Sequence, residues 1–319
     1  MNRVFGHDAA RAEMMRAATS GRLHHGWIFA GPPGIGKASL AREMALTLLA
    51  GEEKAAMVAD DHMATHLFQA GTHPDYAELR RLEKDNGDLA RNISVDQIRG
   101  LGRLLSTAPS VSQRRVILID SADDMERGAA NALLKNLEEP PRNVIFLLVS
   151  HAPSRLLPTI RSRCRLLRLS PLERGEMEAA LRQAAPELSE ADLAELIRIG
   201  EGAPGKALSL SGLAISEMLD ILDRIAMTGD PDNGERIKLA KALAARNAKP
   251  RFEAFLAQVP AFIASRARGL GGPALAGAIG AWEQARDLAA GAIPLSLDPA
   301  ATVFELCGHV ATLAPPEPR

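Results

Sequence analysis

The chain has 319 residues, 46% of them apolar and 24% charged, enough for two domains, or three small ones, to bury cores without metals or disulfides. With 38 Lys and Arg against 39 Asp and Glu, the net charge of −1 excludes a broadly basic nucleic-acid coat, and an aromatic content of 3% disfavours a base-stacking platform. Two cysteines, Cys164 and Cys307, make neither a disulfide framework nor a cysteine zinc cluster, and with no apolar run of about 18 residues and no signal-peptide pattern the expectation is a reducing, cytoplasmic setting without a membrane span.

In chain order, helical spacing over 9–19 precedes an apolar run at 27–30, followed by helical spacing over 37–49 and 95–105. Ser94 and Gln97 fit a capping box for the last of these. A second apolar run at 116–119, a helix over 127–137 and runs at 144–149 and 166–169 complete the pattern. Near-continuous apolar strands alternating with helices predict a doubly wound parallel α/β sheet with right-handed crossovers. Past 169 the strand signal stops. Pro171 opens a helix over 172–183, Ser189 caps one over 190–199, and Gly200, Gly202 and Gly205 lead into a short helix over 206–210. From 214 onward the chain is rich in Ala and Leu, with breaks at 229–234, 248–250, 269–273 and 293–299, which predicts four or five helices in a bundle. The expected domains are therefore a base over 1–169, a helical lid over 170–211 and an all-α part over 212–319, with the last residues frayed.

The sharpest motif is Gly31, Pro32, Pro33, Gly34, Ile35, Gly36 and Lys37, between the first strand and the helix it opens. Glycines let backbone N–H groups close around phosphate oxygens, the helix N-terminus adds partial positive charge, and Lys37 reaches the outer phosphates. The next residue should carry a hydroxyl for Mg²⁺, but it is Ala38, and Ser39 lies about 100° further round the helix. Asp120 ends the strand at 116–119 as a magnesium-holding carboxylate would, yet Ser121 follows where a hydrolysing enzyme with this loop usually places Glu. Asp123 and Asp124 are expected to cap the helix beyond. The loop suits ATP or ADP with weakly held Mg²⁺, and the catalytic apparatus is stripped.

These motifs, together with Val4–His7, Leu23–Phe29, His73-Pro74-Asp75, 93–99, 131–141 (Asn-Ala-Leu-Leu-Lys-Asn-Leu-Glu-Glu-Pro-Pro) and 157–164 ending in Ser162-Arg163-Cys164, resemble the AAA+ clamp loaders of bacterial DNA replication, most narrowly their non-motor delta-prime branch. The resemblance is dense over 4–169, extends to about 210, and is only architectural beyond. It implies an AAA+ base, a lid and a ring-forming collar. It also implies partnership with the tau/gamma and delta subunits of DNA polymerase III, with the sliding clamp and primed DNA reached through that complex. In that family an arginine finger serves the neighbouring subunit's ATP site, and Arg163 matches it. By spacing alone Arg163 is one of a basic group with Arg155, Arg161, Arg165 and Arg168, all of which could be solvated. Ser150 and Lys206 match the family's phosphate sensors, although a strand-end turn and a solvated lysine account for them equally, and His151 complicates the first. Cys164 reads as a small buried residue. The family often carries a cysteine-rich zinc module before His73, but 51–75 contain no cysteine, and His62 and His66 alone make no metal site, so no zinc is expected. Arg99 and Arg103 could meet DNA phosphate or simply be solvated. Two other readings remain at this point: a hydrolysing motor-type ATPase, opposed by Ala38 and Ser121, and a small-molecule kinase, which leaves the last hundred residues unexplained.

Overall fold

The computed structural model describes residues 3–53, 55, 57–85, 87 and 89–315. Its first compact unit, Met1–Leu208, is built on five parallel strands: β1 (Gly26–Ala30), β2 (Tyr76–Leu79), β3 (Arg115–Ile119), β4 (Val144–Ser150) and β5 (Arg165–Arg168), in the order β2-β3-β4-β1-β5. Helices α1 (Asp8–Thr19), α2 (Lys37–Ala50), α3 (Met63–Gln69), α4 (Val95–Gly100), α5 (Gly102–Leu105), α6 (Arg127–Glu138) and α7 (Pro158–Arg161) connect and cover them. The central strands are apolar throughout because each face meets its own core. Trp27, Phe29, Val116, Leu118 and Leu147 pack with Met14 of α1 and Leu40, Met44 and Leu48 of α2. The alternate residues Ile28, Ile117, Ile119, Phe146 and Leu148 pack with Ile98 of α4 and Leu133 and Leu137 of α6.

Besides the short helices α3 and α7, which no spacing predicts, a strand and a helix differ from expectation. β2 has no apolar run; it is a half-buried edge strand carrying Glu78, held to the sheet by pairing with β3. The helix expected over 95–105 is two short ones that meet at Leu101, between Gly100 and Gly102, although the Ser94–Gln97 capping box is present.

Helices α8 (Arg174–Ala184), α9 (Glu190–Gly200) and α10 (Pro204–Leu210) follow, with Glu173 and Glu176 forming a capping box on α8 and Ser189 capping α9. These helices belong to the first compact unit up to Leu208, and the second unit is Ser209–Arg319. The second unit contains α11 (Ile215–Thr228), α12 (Gly234–Leu243), α13 (Lys249–Ala267), α14 (Gly272–Ala292) and α15 (Pro299–Ala311), broken where Gly and Pro predict. Buried Asp230 accepts from the Glu235 and Arg236 N–H groups and from Arg236 Nε, each at 3.1 Å, which ties off the start of α12. Among the described residues no helix is long and apolar enough to cross a membrane. Of the tail expected to fray, 316–319 lie outside the described residues.

Candidate functional site

The loop between β1 and α2 turns through left-handed backbone at Gly34 (φ 79°) and Gly36 (φ 99°), which brings Gly36 to the N-cap of α2. Neighbours hold it on two sides. His7 Nε2 donates to the Ile35 carbonyl at 2.8 Å, and the Gly205 N–H donates to the Gly34 carbonyl at 2.9 Å. A Cβ at Gly34 would stand 2.5 Å from the Lys206 backbone nitrogen, so only glycine admits α10 so close. Under the loop lies a cavity of about 470 Å³, with Val4, Phe5, Leu172, Ala180 and Leu208 forming an apolar wall and Gly34–Ser39, Arg42, Asp120 and His151 the polar end. An apolar slot beside a glycine-lined helix N-terminus combines surface for an apolar group with backbone N–H groups that favour an anion.

Lys37 is 3% exposed, and its Nζ donates to the carbonyls of Gly31 at 2.8 Å and Pro32 at 2.5 Å. Burial pushes its amine down to about 8, against the pull of Asp123 and Asp120. Pro32 and Pro33 are exposed on the outside of the loop. The Ala38 methyl packs against the core, and Ser39 borders the cavity from an exposed position.

Asp120 is not free. Arg42, from the second turn of α2, places Nη2 3.2 Å from Asp120 Oδ2 and 2.6 Å from Glu78 Oε1, while its Nε lies 3.1 and 3.2 Å from the two Glu78 oxygens. The Tyr76 hydroxyl donates to Glu78 Oε2 at 2.8 Å. Burial raises the Asp120 carboxyl and Arg42 draws it back; for Glu78 the hydrogen bonds from Arg42 and Tyr76 outweigh burial and hold it below the usual range. The expectation that Asp123 and Asp124 cap a helix is corrected. The cap of the short turn Ala122–Asp124 is Ser121, and α6 starts at Arg127 with Glu126 at its N-cap. Asp123 instead accepts from Ser121 Oγ at 3.0 Å, Ser150 Oγ at 2.9 Å and the N–H groups of His151 and Ala152 at 2.5 and 3.3 Å, joining the ends of β3 and β4.

Ser150 is thus buried with its hydroxyl on Asp123, and His151 is the residue of that pair bordering the cavity. Lys206 is ion-paired with Glu201 at 3.1 Å. Arg163 lies between α7 and β5, its Nη2 2.9 Å from Glu138 Oε1 and its Nη1 donating to the Thr159 carbonyl at 3.0 Å. β5 runs parallel to β1, with Trp27 opposite Arg165 and Ala30 opposite Arg168, so Arg163 precedes the N-terminal end of the strands and the phosphate loop leaves their C-terminal end. Arg165 lies 5.3 Å from the Trp27 ring, and burial pushes the half-buried Cys164 thiol up to about 12. His62 caps α3 by accepting from the Ala64 N–H, Arg99 lies 3.7 Å from Asp96 with both exposed, and among the described residues no three His, Cys, Asp or Glu side chains gather as a metal site. Arg42, Glu78 and Glu138 are the residues at this site that sequence reasoning misses, because their contacts join distant elements.

The family model described as "DNA polymerase III, delta subunit" matches residues 6–173, more than half of the 319. The delta-prime subunit of DNA polymerase III from Pseudomonas aeruginosa is 39% identical over 194 residues, covering 60% of this chain and 57% of that protein. Its Escherichia coli counterpart is 33% identical over 198 residues, covering 62% and 58%. The tau subunit from Escherichia coli is 30% identical over 251 residues, covering 76% of this chain and 38% of that one. The chain thus matches somewhat over half the length of the two delta-prime relatives. The family match over 6–173 spans the five strands, the glycine loop and the Arg163 segment, and with the two delta-prime relatives it shows that the chain belongs to the DNA polymerase III delta-prime family of AAA+ clamp-loader proteins.

Proposed function

We propose that the chain is a non-motor subunit of a cytoplasmic bacterial clamp-loader complex, assembling with tau/gamma and delta subunits and supporting ATP-dependent loading of the sliding clamp onto primed DNA. The observation that carries this reading is the placement of Arg163 at the opposite end of the sheet from its own phosphate loop. An arginine so placed serves a neighbour's site, where a planar, permanently charged guanidinium stabilises charge developing on phosphate oxygens. Its own loop takes ATP or ADP but lacks a hydroxyl at Ala38 and a carboxylate at Ser121, and Asp120 is committed to Arg42. The motor-type alternative needs all three. His151 rather than Ser150 is the residue at the end of β4 placed to meet phosphate, and Lys206 is drawn aside by Glu201. Residues 1–169 act as base, 170–211 as lid and 212–319 as the oligomerisation collar. The test is to mix the purified chain with tau/gamma and delta and to measure the mass of the complex. A defined hetero-oligomer containing this chain is expected, and failure to co-assemble would sink the reading.

A further inference from the structure

The polar end of the cavity offers a phosphate the start of α2 and the backbone N–H groups of its loop, and a magnesium ion few ligands. A nucleotide-bound Mg²⁺ in such a site takes a hydroxyl from the residue after the lysine and help from the strand-end carboxylate, in near-ideal octahedral geometry. At the first position stands Ala38, a half-buried residue that lines the cavity and has only a methyl where the hydroxyl would be. At the second, Arg42 holds Asp120 at 3.2 Å and forks onto Glu78, whose remaining hydrogen-bonding capacity is engaged by Tyr76 at 2.8 Å. Arg42 already balances one of the two carboxylates, so a dication brought to Asp120 would be repelled by a guanidinium 3.2 Å from that carboxylate, in a partly desolvated pocket. An anionic phosphate would face the start of α2, with Lys37 and His151 also lining the cavity there.

We infer that this cavity is a magnesium-independent nucleotide site, which takes nucleoside di- and triphosphates as the metal-free anion, with Arg42 occupying the position at Asp120 that a metal's charge would otherwise fill. The inference rests on the reading of the loop as a nucleotide site. It adds that the stripped motifs are a consistent set: the missing hydroxyl at 38 and the guanidinium at Asp120 both remove the metal while leaving the phosphate cradle of Gly34–Lys37 intact.

The test is a fluorescence-anisotropy titration of the full chain with ribose-labelled ADP and ATP, once in excess EDTA and once in millimolar magnesium. Dissociation constants agreeing within about twofold are expected. Magnesium that tightens binding by about tenfold or more would overturn the inference and leave the nucleotide reading standing. Absence of binding in both buffers would overturn both. Arg42→Met releases two carboxylates beside the phosphates. It should weaken binding in EDTA by about tenfold, and magnesium should then recover much of the loss. If Arg42→Met still binds and remains indifferent to magnesium, Arg42 does not have the assigned part. Arg42→Lys keeps the charge and should keep the metal-independence even if Arg42→Met melts at room temperature; magnesium dependence in this variant would count against the inference.

Discussion

Asp75 has a side chain wholly shielded from solvent, and it accepts from the N–H groups of Ser110, Val111 and Ser112 at 2.8, 2.7 and 2.9 Å and from Arg115 Nη2 at 3.1 Å. The Arg115 side chain is only 3% exposed, so Asp75→Ala leaves a guanidinium buried without its counter-charge, with carbonyls of Leu104, Thr107 and Ala108 as its remaining partners. Breaking one side of such a pair costs about 3–5 kcal/mol, a large share of the roughly 5–15 kcal/mol that holds a domain folded. Because the turn at 110–112 is partly exposed, its freed N–H groups can turn to water and add less. Asp75→Asn keeps the shape and should cost about 1–3 kcal/mol. Asp75→Leu with Arg115→Met removes both charges and should be milder than Asp75→Ala. The assay is urea unfolding followed by buried Trp27 in β1, in a Trp282→Phe background so that the signal reports the first unit alone. Acid supplies a second check. Burial raises the Asp75 carboxyl, but the bonds from Ser112, Val111, Ser110 and Arg115 outweigh it and hold the group below its usual range. A carboxyl depressed by folding contributes stability above its unfolded value near pH 4, and that contribution is lost as pH falls through the folded value. The gap between wild type and Asp75→Ala should therefore narrow toward about pH 3. A loss under about 1 kcal/mol, or a gap unchanged by acid, would refute the reasoning.

In the reconstituted complex Arg163→Ala should lower ATP hydrolysis, since an arginine finger given in trans can be worth ~10³ in rate at its own site, while Arg161→Ala and Arg165→Ala act as controls; equal losses from all three would reduce Arg163 to one member of a basic edge. Arg163→Lys should rescue poorly because it keeps charge but not the planar fork. The isolated chain should not hydrolyse ATP, and Lys37-dependent turnover on the order of 1 per second would show a working motor. Chelator-free protein should contain far less than stoichiometric zinc by elemental analysis; about one zinc per chain would direct attention to His62, His66 and His73.

The alternation of apolar runs with helical spacing makes most of the sheet legible, because β1, β3 and β4 are covered on both faces and read as unbroken apolar stretches. β2 is hidden by the same logic. As an edge strand it is only half-buried, and Tyr76 and Glu78 serve Arg42 rather than a core. The proposed phosphate loop is legible through glycine spacing, since glycines mark where its backbone turns left-handed at Gly34 and Gly36. The Arg42–Glu78–Asp120 cluster is illegible, because it joins residues 36 and 78 positions apart through the fold alone. Asp123 shows the same limit from the other side: two adjacent aspartates before a helix signal a cap, whereas the fold brings the β4 end within reach and uses one as a strut.

The meeting of Gly34 and Gly205 has a mechanical consequence. Added Cβ atoms would stand 2.5 Å from the Lys206 nitrogen on one side and 3.1 Å from the Gly34 Cα on the other, so the loop and α10 touch main chain to main chain. No side chain lies between them to act as a bearing or to absorb slack by changing rotamer. The joint is a splice rather than a hinge: a shift of the loop backbone is delivered to α10 over the length of one hydrogen bond, and any residue larger than glycine at either position would act as a wedge.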